Sequence, residues 1–444
     1  MLSRHSGEAR PLGLSLRHLY DNLGAFCDTP SSTRGLNERG ALCILNGMIP
    51  RRRLCIRRSD LGLLLGEVSN SGGDRSVVSS FEASFAAYLG TAHARTVASG
   101  RDAIVLAFEA MGLRPGDGIL VPAYTLGELM GVLGRKGYRP VPVDVEPDTF
   151  NMDPALVEQR IDANTRAIMT THILGAPCDM KRITEIARRR SLLVLEDCAH
   201  ALGATIDGRK VGTFGDAAIF SLECNKALPT YGGGILASNS AGIIAKIDEL
   251  IAGRKRSKGR LAKKVSSTWM EELVTRSPFY GIINRILFSG PIAAVFERSY
   301  RKSHDKIRPS NLYTVFQAQL GQRNLALVDA RNKRLNEQWR RMAEALPDGF
   351  VAQIRDRCGE PAFYNFVARS TRIAPPELRK RLRRAGVDVG IGTEVMDNCG
   401  PLVGYNDCVN AARVVEQGVL LPLYDGLNER RFARIIAAVC SRGC

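Results

Sequence analysis

From about Ser79 the chain alternates between short apolar runs and stretches with helical apolar spacing. "VVSSFEASFAAYLG" has the helical period and stops at Gly90, a C-cap residue. "ARTVASG" reads as a strand, "RDAIVLAFEAMG" as a helix, "GILVPAYT" as a strand after the turn "RPGDG". "ELMGVLGRKG", "RPVPVDV", "TRAIMTTHI", "MKRITEIARRR", "LLVLEDCAHALGA", "DAAIFSL" and "GGILAS" continue the pattern. The strands are apolar almost throughout, so both of their faces must be covered. This predicts an α/β fold: a mostly parallel central sheet with helices on both faces. Ligands on such sheets sit at the carboxyl ends of strands. Ser99-Gly100, Tyr124-Thr125, His172, Asp197 and Ser221 all fall at such ends.

A chain of 444 residues exceeds one small core, and four segments are expected. Residues 1–47 are rich in Arg, Ser and Gly, show no sustained period, and are expected to be poorly ordered and dispensable, with Met48 as an alternative start. Residues 48–252 form the large α/β domain, and 253–310 a basic and apolar insertion. Residues 311–444 form a smaller α+β domain, with "VFQAQLGQRNLALVDARNKRLNEQWRRMAEAL" as one long helical stretch. Eleven cysteines lack C-x-x-C pairs and six histidines do not join them at zinc spacing. They read as reduced thiols, with no metal site. No apolar run is long enough to span a membrane, and the start lacks the apolar core of a signal peptide. A cytoplasmic location is expected.

Three features carry chemistry. Lys226 follows the strand "IFSL" and precedes Gly232, Gly233 and Gly234, where backbone can approach a ligand closely. A lysine in a cleft can serve as a Schiff-base nucleophile; the ordinary alternative is a solvated loop lysine. Asp197 closes the strand "LLVLED", with His200 three residues on. It can hold the protonated nitrogen of a pyridine ring, or merely cap the following helix. Ser99-Gly100 stands where a strand passes at once into a helix, whose first N–H groups and dipole favour phosphate. Phosphate cradle, pyridinium partner and amine together are what pyridoxal 5'-phosphate requires.

The stretches "FEASFAAYLG", "SGRDAIVLAFEAMGLRPGDGILVPAYT", "VPVDVEPDTFNMDP", "ILGAPCDM", "LEDCAHALGA", "FSLECNK" with "GGGILAS", and "GVLLPLYDGLNERRFARIIAAV" occur in this order. Over roughly Ile49 to Val439 the chain resembles the DegT/DnrJ/EryC1/StrS aminotransferases, fold type I pyridoxal-phosphate enzymes that aminate keto-sugars. The resemblance implies Lys226 as the Schiff-base lysine and general base, and Asp197 as partner of the pyridine nitrogen. It implies His200 beside the cofactor hydroxyl and Ser221 as a phosphate ligand. Gly100, Arg101 and Asp102 match a phosphate turn that is usually Gly-Thr-Ala. Leu126 falls where an aromatic residue usually faces the ring, and Gly232 where an acidic residue is common. "SNLYT" approximates a segment that reaches the neighbouring subunit's phosphate, with Asn311 as its candidate. A homodimer is implied, with glutamate or glutamine as donor and a keto-sugar, nucleotide-linked, as acceptor. Lysine rather than histidine at 226 argues against the family's dehydratase branch. The other reading is a family member with weakened catalysis that acts as a regulator or membrane-associated scaffold.

The net charge of +17 points to anionic partners. Fourteen Lys/Arg against four Asp/Glu fall between Arg254 and Arg308, so the excess is mostly local. Without an aromatic stacking platform this stretch does not read as a nucleic-acid binder. It reads as a surface excursion packed on the dimer partner or, more sharply, as a peripheral contact of residues 254–308 with anionic membrane. Trp269, Phe279, Tyr280, Phe288 and Phe296 would then dip into lipid, and Pro278, Gly290, Pro291 and Arg285 forbid a span.

Overall fold

The computed structural model describes residues 47–69, 75–255, 258–276, 280–287 and 312–441. The extension 1–46, Asn311 and much of the insertion, with Phe279, Phe288 and Phe296, lie outside the described residues.

Seven strands form the central sheet: β1 (His93–Val97), β2 (Gly118–Pro122), β3 (Arg139–Val143), β4 (Thr165–Thr171), β5 (Leu193–Asp197), β6 (Ala217–Ser221) and β7 (Gly234–Ser238). Their order is β1-β7-β6-β5-β4-β2-β3. β3, β2, β4, β5 and β6 pair in parallel, while β7 runs against both β1 and β6. The expected mostly parallel sheet is therefore present, and β7 is its one reversed strand. The reversal puts the start of β7, not its end, at the edge where the other strands finish.

Alternate residues of a strand serve opposite faces. Ala217 and Ile219 of β6 and Leu236 of β7 pack on one face with Ile104 and Phe108. Ala218, Phe220 and Ile235 pack on the other with Phe81 and Phe85. Ile104 and Phe108 lie on helix α2 (Gly100–Ala110), Phe81 and Phe85 on helix α1 (Arg75–Leu89). Helices thus cover both faces, as continuous apolar strands require.

A second, antiparallel sheet follows: β8 (Phe350–Ala352), β9 (Phe366–Ser370), β10 (Gly390–Ile391) and β11 (Gly418–Leu421), in the order β8-β9-β11-β10. Its core gathers Phe366, Leu378, Val419, Leu421, Phe432 and Ile435. Two details depart from the sequence reading. The long helical stretch is two helices, Val315–Leu325 and Val328–Glu344, interrupted at Ala326-Leu327. Leu327 has ψ near −7° and breaks the helical register there. In the insertion, one helix, Lys258–Arg276, runs from the basic run into the apolar part, which the sequence reading kept separate.

Candidate active site

Across three neighbouring strands, Val97, Gly234 and Ser221 stand in register at the carboxyl edge of the sheet. Helix α2 begins here. Ser99 is extended and caps it, its Oγ accepting the Asp102 N–H at 3.1 Å. Ser99 also bridges to Gly233. A Cβ on Gly234 would lie 2.6 Å from the Ser99 carbonyl, and one on Gly233 2.5 Å from the Tyr313 ring. Gly233 also has φ +103°, in the left-handed region. The glycine cluster after Lys226 thus exists so that β7 can lie flush against the turn at Ser99. On the other side of that turn, a Cβ on Gly100 would stand 3.2 Å from Ser221 Cβ. Gly100 and Ser221 are therefore immediate neighbours at the positive end of an eleven-residue helix.

Two carboxylates end β5 and point to opposite faces. Glu196 is fully buried and accepts four hydrogen bonds: from Gly212 N (2.8 Å), Phe214 N and Gly215 N (both 2.7 Å), and from the His172 ring at 3.2 Å. His172 Nδ1 accepts the Cys178 N–H at 3.0 Å, so its proton sits on Nε2 and is donated to Glu196. With Cys198 close by, this trio has the composition of a metal site. The carboxylate and imidazole, however, already have protein hydrogen-bond partners, and this hydrogen-bonded network accounts for the group without an ion. The sequence places His172 among the strand-end residues of the expected site. Its ring instead belongs to this structural network. Tyr124 is likewise wholly buried.

Asp197 differs. Its Oδ1 accepts the Ala199 N–H at 2.9 Å, the one hydrogen bond to this carboxylate among the described residues. Burial pushes its pKa up, against the opposing pull of Lys226 and His172. The Lys226 side chain is buried as well, and its Nζ stands 4.1 Å from the centre of the Tyr364 ring. His200 lies parallel to the same ring, centroids 3.9 Å apart. Its Nδ1 faces the Leu174 N–H at 3.4 Å, which leaves the neutral ring's proton on Nε2. Burial first, and the charge of Lys226 second, hold its pKa well below the usual imidazole value. Lys226, Asp197 and His200 are thus brought together around one space.

Tyr364 is the residue the sequence reading missed. It precedes β9 of the small sheet, and its hydroxyl accepts from Asn225 Nδ2 at 3.1 Å across 139 positions. The segment carrying it docks tightly, because Gly175 lets the Ala362 carbonyl approach where a Cβ would collide, and Ala362 N donates to Gly175 O at 3.0 Å. No local pattern in "PAFYNFV" marks this long-range approach.

The unusual pair at the phosphate turn is occupied by ion pairs. Arg101 Nη1 meets Glu128 Oε2 at 2.8 Å, and the buried Asp102 meets Arg254 Nη1 at 2.6 Å. Burial still leaves the Asp102 pKa raised, despite Arg254. Leu126 is 43% exposed at the start of helix α3 (Gly127–Arg135).

Residues 67–276 match the DegT/DnrJ/EryC1/StrS aminotransferase family. A GDP-perosamine synthase of Caulobacter vibrioides is 44% identical over 167 residues, 38% of this chain and 45% of that protein. A pleiotropic regulatory protein of Geobacillus stearothermophilus is 42% identical over 163 residues, 36% of this chain and 44% of that protein. The chain thus spans less than half the length of these curated relatives. Among solved structures, Streptomyces venezuelae DesV in complex with a ketimine intermediate superposes with TM-score 0.67 at 25% identity, over 86% of this chain and 93% of that one. AtS13 from Actinomadura melliaura gives 0.70 at 22% identity, over 89% and 99%.

Proposed function

We propose, from the match of residues 67–276 to the DegT/DnrJ/EryC1/StrS aminotransferase family, that the chain is a pyridoxal-phosphate-dependent aminotransferase. The observation that carries the reading is the meeting of Lys226, which follows β6, with Asp197 and His200, which end and follow β5. The residues fit the coenzyme. Asp197 is a buried carboxylate with unused acceptor capacity, which a protonated ring nitrogen would fill. Gly100 and Ser221 form a close-set cradle at a helix N-terminus, suited to phosphate. Bound there, pyridoxal phosphate supplies the electron-withdrawing ring and the carbon that carries the amino group. Lys226 Nζ would hold the coenzyme and act as the base that takes and returns a proton. Asp197 would keep the ring nitrogen protonated. His200, neutral because buried, would offer its Nε2 proton to an oxygen of the ring.

The amino donor we propose is glutamate or glutamine, and the acceptor a nucleotide-linked keto-sugar. The name of the Caulobacter relative supports that substrate class. The regulatory name of the Geobacillus relative keeps the second reading in view. Absorbance separates them. Purified protein given pyridoxal phosphate should show a band near the visible edge that glutamate or glutamine bleaches and a keto-sugar restores. A colourless protein, or a band that persists unchanged in Lys226→Ala, would refute the enzymatic reading.

We further propose a homodimer. Met270 and Leu273 of the insertion helix are 61% and 66% exposed, which supports an apolar contact there. Sizing at micromolar concentration tests the dimer. Cosedimentation with anionic vesicles tests the alternative use of this face against a membrane.

A further inference from the structure

Between β6 and β7, residues 222–232 form neither helix nor strand, and Lys226 sits among them. Buried backbone of this kind must find hydrogen-bond partners elsewhere in the fold. The donors come from the helices Val315–Leu325 and Val328–Glu344, one side chain every seven residues. Gln317 Nε2 donates to the Thr230 carbonyl at 3.3 Å and the Gly232 carbonyl at 3.1 Å. Asn324 Nδ2 donates to the Pro229 carbonyl at 2.9 Å. Arg331 Nη1 donates to the Ala227 carbonyl at 3.1 Å and the Lys226 carbonyl at 3.3 Å. As the helix positions rise, the loop positions fall, so the loop is held in step along its length. The spacing carries through the interruption at Ala326-Leu327.

Arg331 is the donor at the Lys226 end, and its guanidinium is itself held. Nη2 meets Cys55 Sγ, and Nε stands 3.9 Å from Asp425 Oδ2. The peptide before Lys226 is fixed as well, its N–H donating to the Glu223 carbonyl at 2.9 Å. Both peptide groups that flank the Lys226 Cα are therefore tied down, one within the loop and one from a helix 105 positions away. We propose that Arg331 is a positioning residue for Lys226, setting the point from which the lysine side chain reaches Asp197 and Tyr364. It acts through the backbone and not on the reacting atoms. A planar guanidinium can meet two carbonyls and a thiol at once, which the single point of an ammonium cannot. The role rests on the aminotransferase reading, in which Lys226 Nζ takes and returns the proton.

Arg331→Met and Gln317→Met test it, since each keeps an apolar stem and removes the donors. Gln317 is the structural comparator: it is buried, closes the N-cap at Thr314 and holds the carbonyls at the other end of the loop. Gln317→Met should lower the thermal midpoint more. Arg331→Met should lower kcat more, by about tenfold to a hundredfold at saturating pyridoxal phosphate with the KM for glutamate unchanged, the scale of a misplacement of about 1 Å or less. Arg331→Lys should recover little of that loss. If kcat instead follows the thermal midpoint across the variants, the role is merely structural and the proposal is overturned. Amide hydrogen exchange of the coenzyme-free protein gives the second measurement. Residues 223–232 should exchange several-fold faster in Arg331→Met, and exchange equal to wild type would also overturn the proposal. A wild type with neither the visible band nor transamination would refute the aminotransferase reading instead, and exchange then decides alone whether Arg331 holds the root of Lys226.

Discussion

Glu196 and Asp197 are consecutive residues on one strand, both buried, and they live differently. Glu196 receives four donors from the protein and ties the 212–215 loop to His172. Among the described residues Asp197 receives one, and the charge of Lys226 acts on it. A buried carboxylate left partly unsatisfied is costly, so it marks a place where a ligand completes the structure. A saturated one marks architecture. Burial alone does not distinguish the two; the count of donors does.

The sharpest way to break this contrast is at Lys226. Lys226→Ala should lower transamination on the order of ten-thousand-fold, the upper range for a lost proton-transfer group, while the thermal midpoint stays near wild type. Turnover at the wild-type rate in that variant would end the assignment. On the architectural side, Glu196→Ala should cost about 3–5 kcal/mol in urea denaturation, because three N–H groups and His172 lose their acceptor. A cost below about 1 kcal/mol would show that the donors find other partners.

Asp197→Asn should reverse that pattern. Activity should fall about a hundredfold, since an amide cannot hold the ring nitrogen protonated. Stability of the coenzyme-free protein should hold or rise at neutral pH. The reason is the sign of the shift. Asp197 has a raised pKa in the folded protein, so its stabilising contribution is present below the unfolded value and is lost as pH rises through the folded one. The variant has no such loss, and pH-dependent melts of both proteins measure it. A stability loss comparable to that of Glu196→Ala would erase the distinction between the two carboxylates.

His200 gives the opposite limb. Its folded pKa lies below the unfolded value near 6.5, so its contribution is present above that pH and is lost as pH falls through the folded value. His200→Gln should flatten the melting temperature below pH 6.5. An acid limb that persists unchanged would move its origin elsewhere. The smallest expected effect belongs to Tyr364. Tyr364→Leu removes the ring above Lys226 and should weaken pyridoxal phosphate binding by about 0.5–2 kcal/mol in a fluorescence titration, with Tyr364→Phe close to wild type. Equal affinities for Leu and Phe variants would make the ring contact incidental.

The sequence by itself determined the sheet and the edge on which the candidate residues fall. Continuous apolar strands separated by periodic helices allow little besides a parallel sheet covered on both faces. The strand ends then put Lys226, Asp197, His200, Ser221 and Gly100 on one edge. These are local signals, set by period and by residue type, and they are readable without coordinates. Tertiary structure alone decided the rest. It reversed β7, which explains the glycines before it. It sent His172 to Glu196 and away from the site, a choice that depends on which face a side chain takes and on donors supplied by the distant 212–215 loop. It brought Tyr364 onto Lys226 from the second sheet, and Arg254 onto Asp102 from the insertion. Such pairings join positions far apart in the chain. Their energy comes from burial and from matched charge, which exist only once the chain has closed on itself.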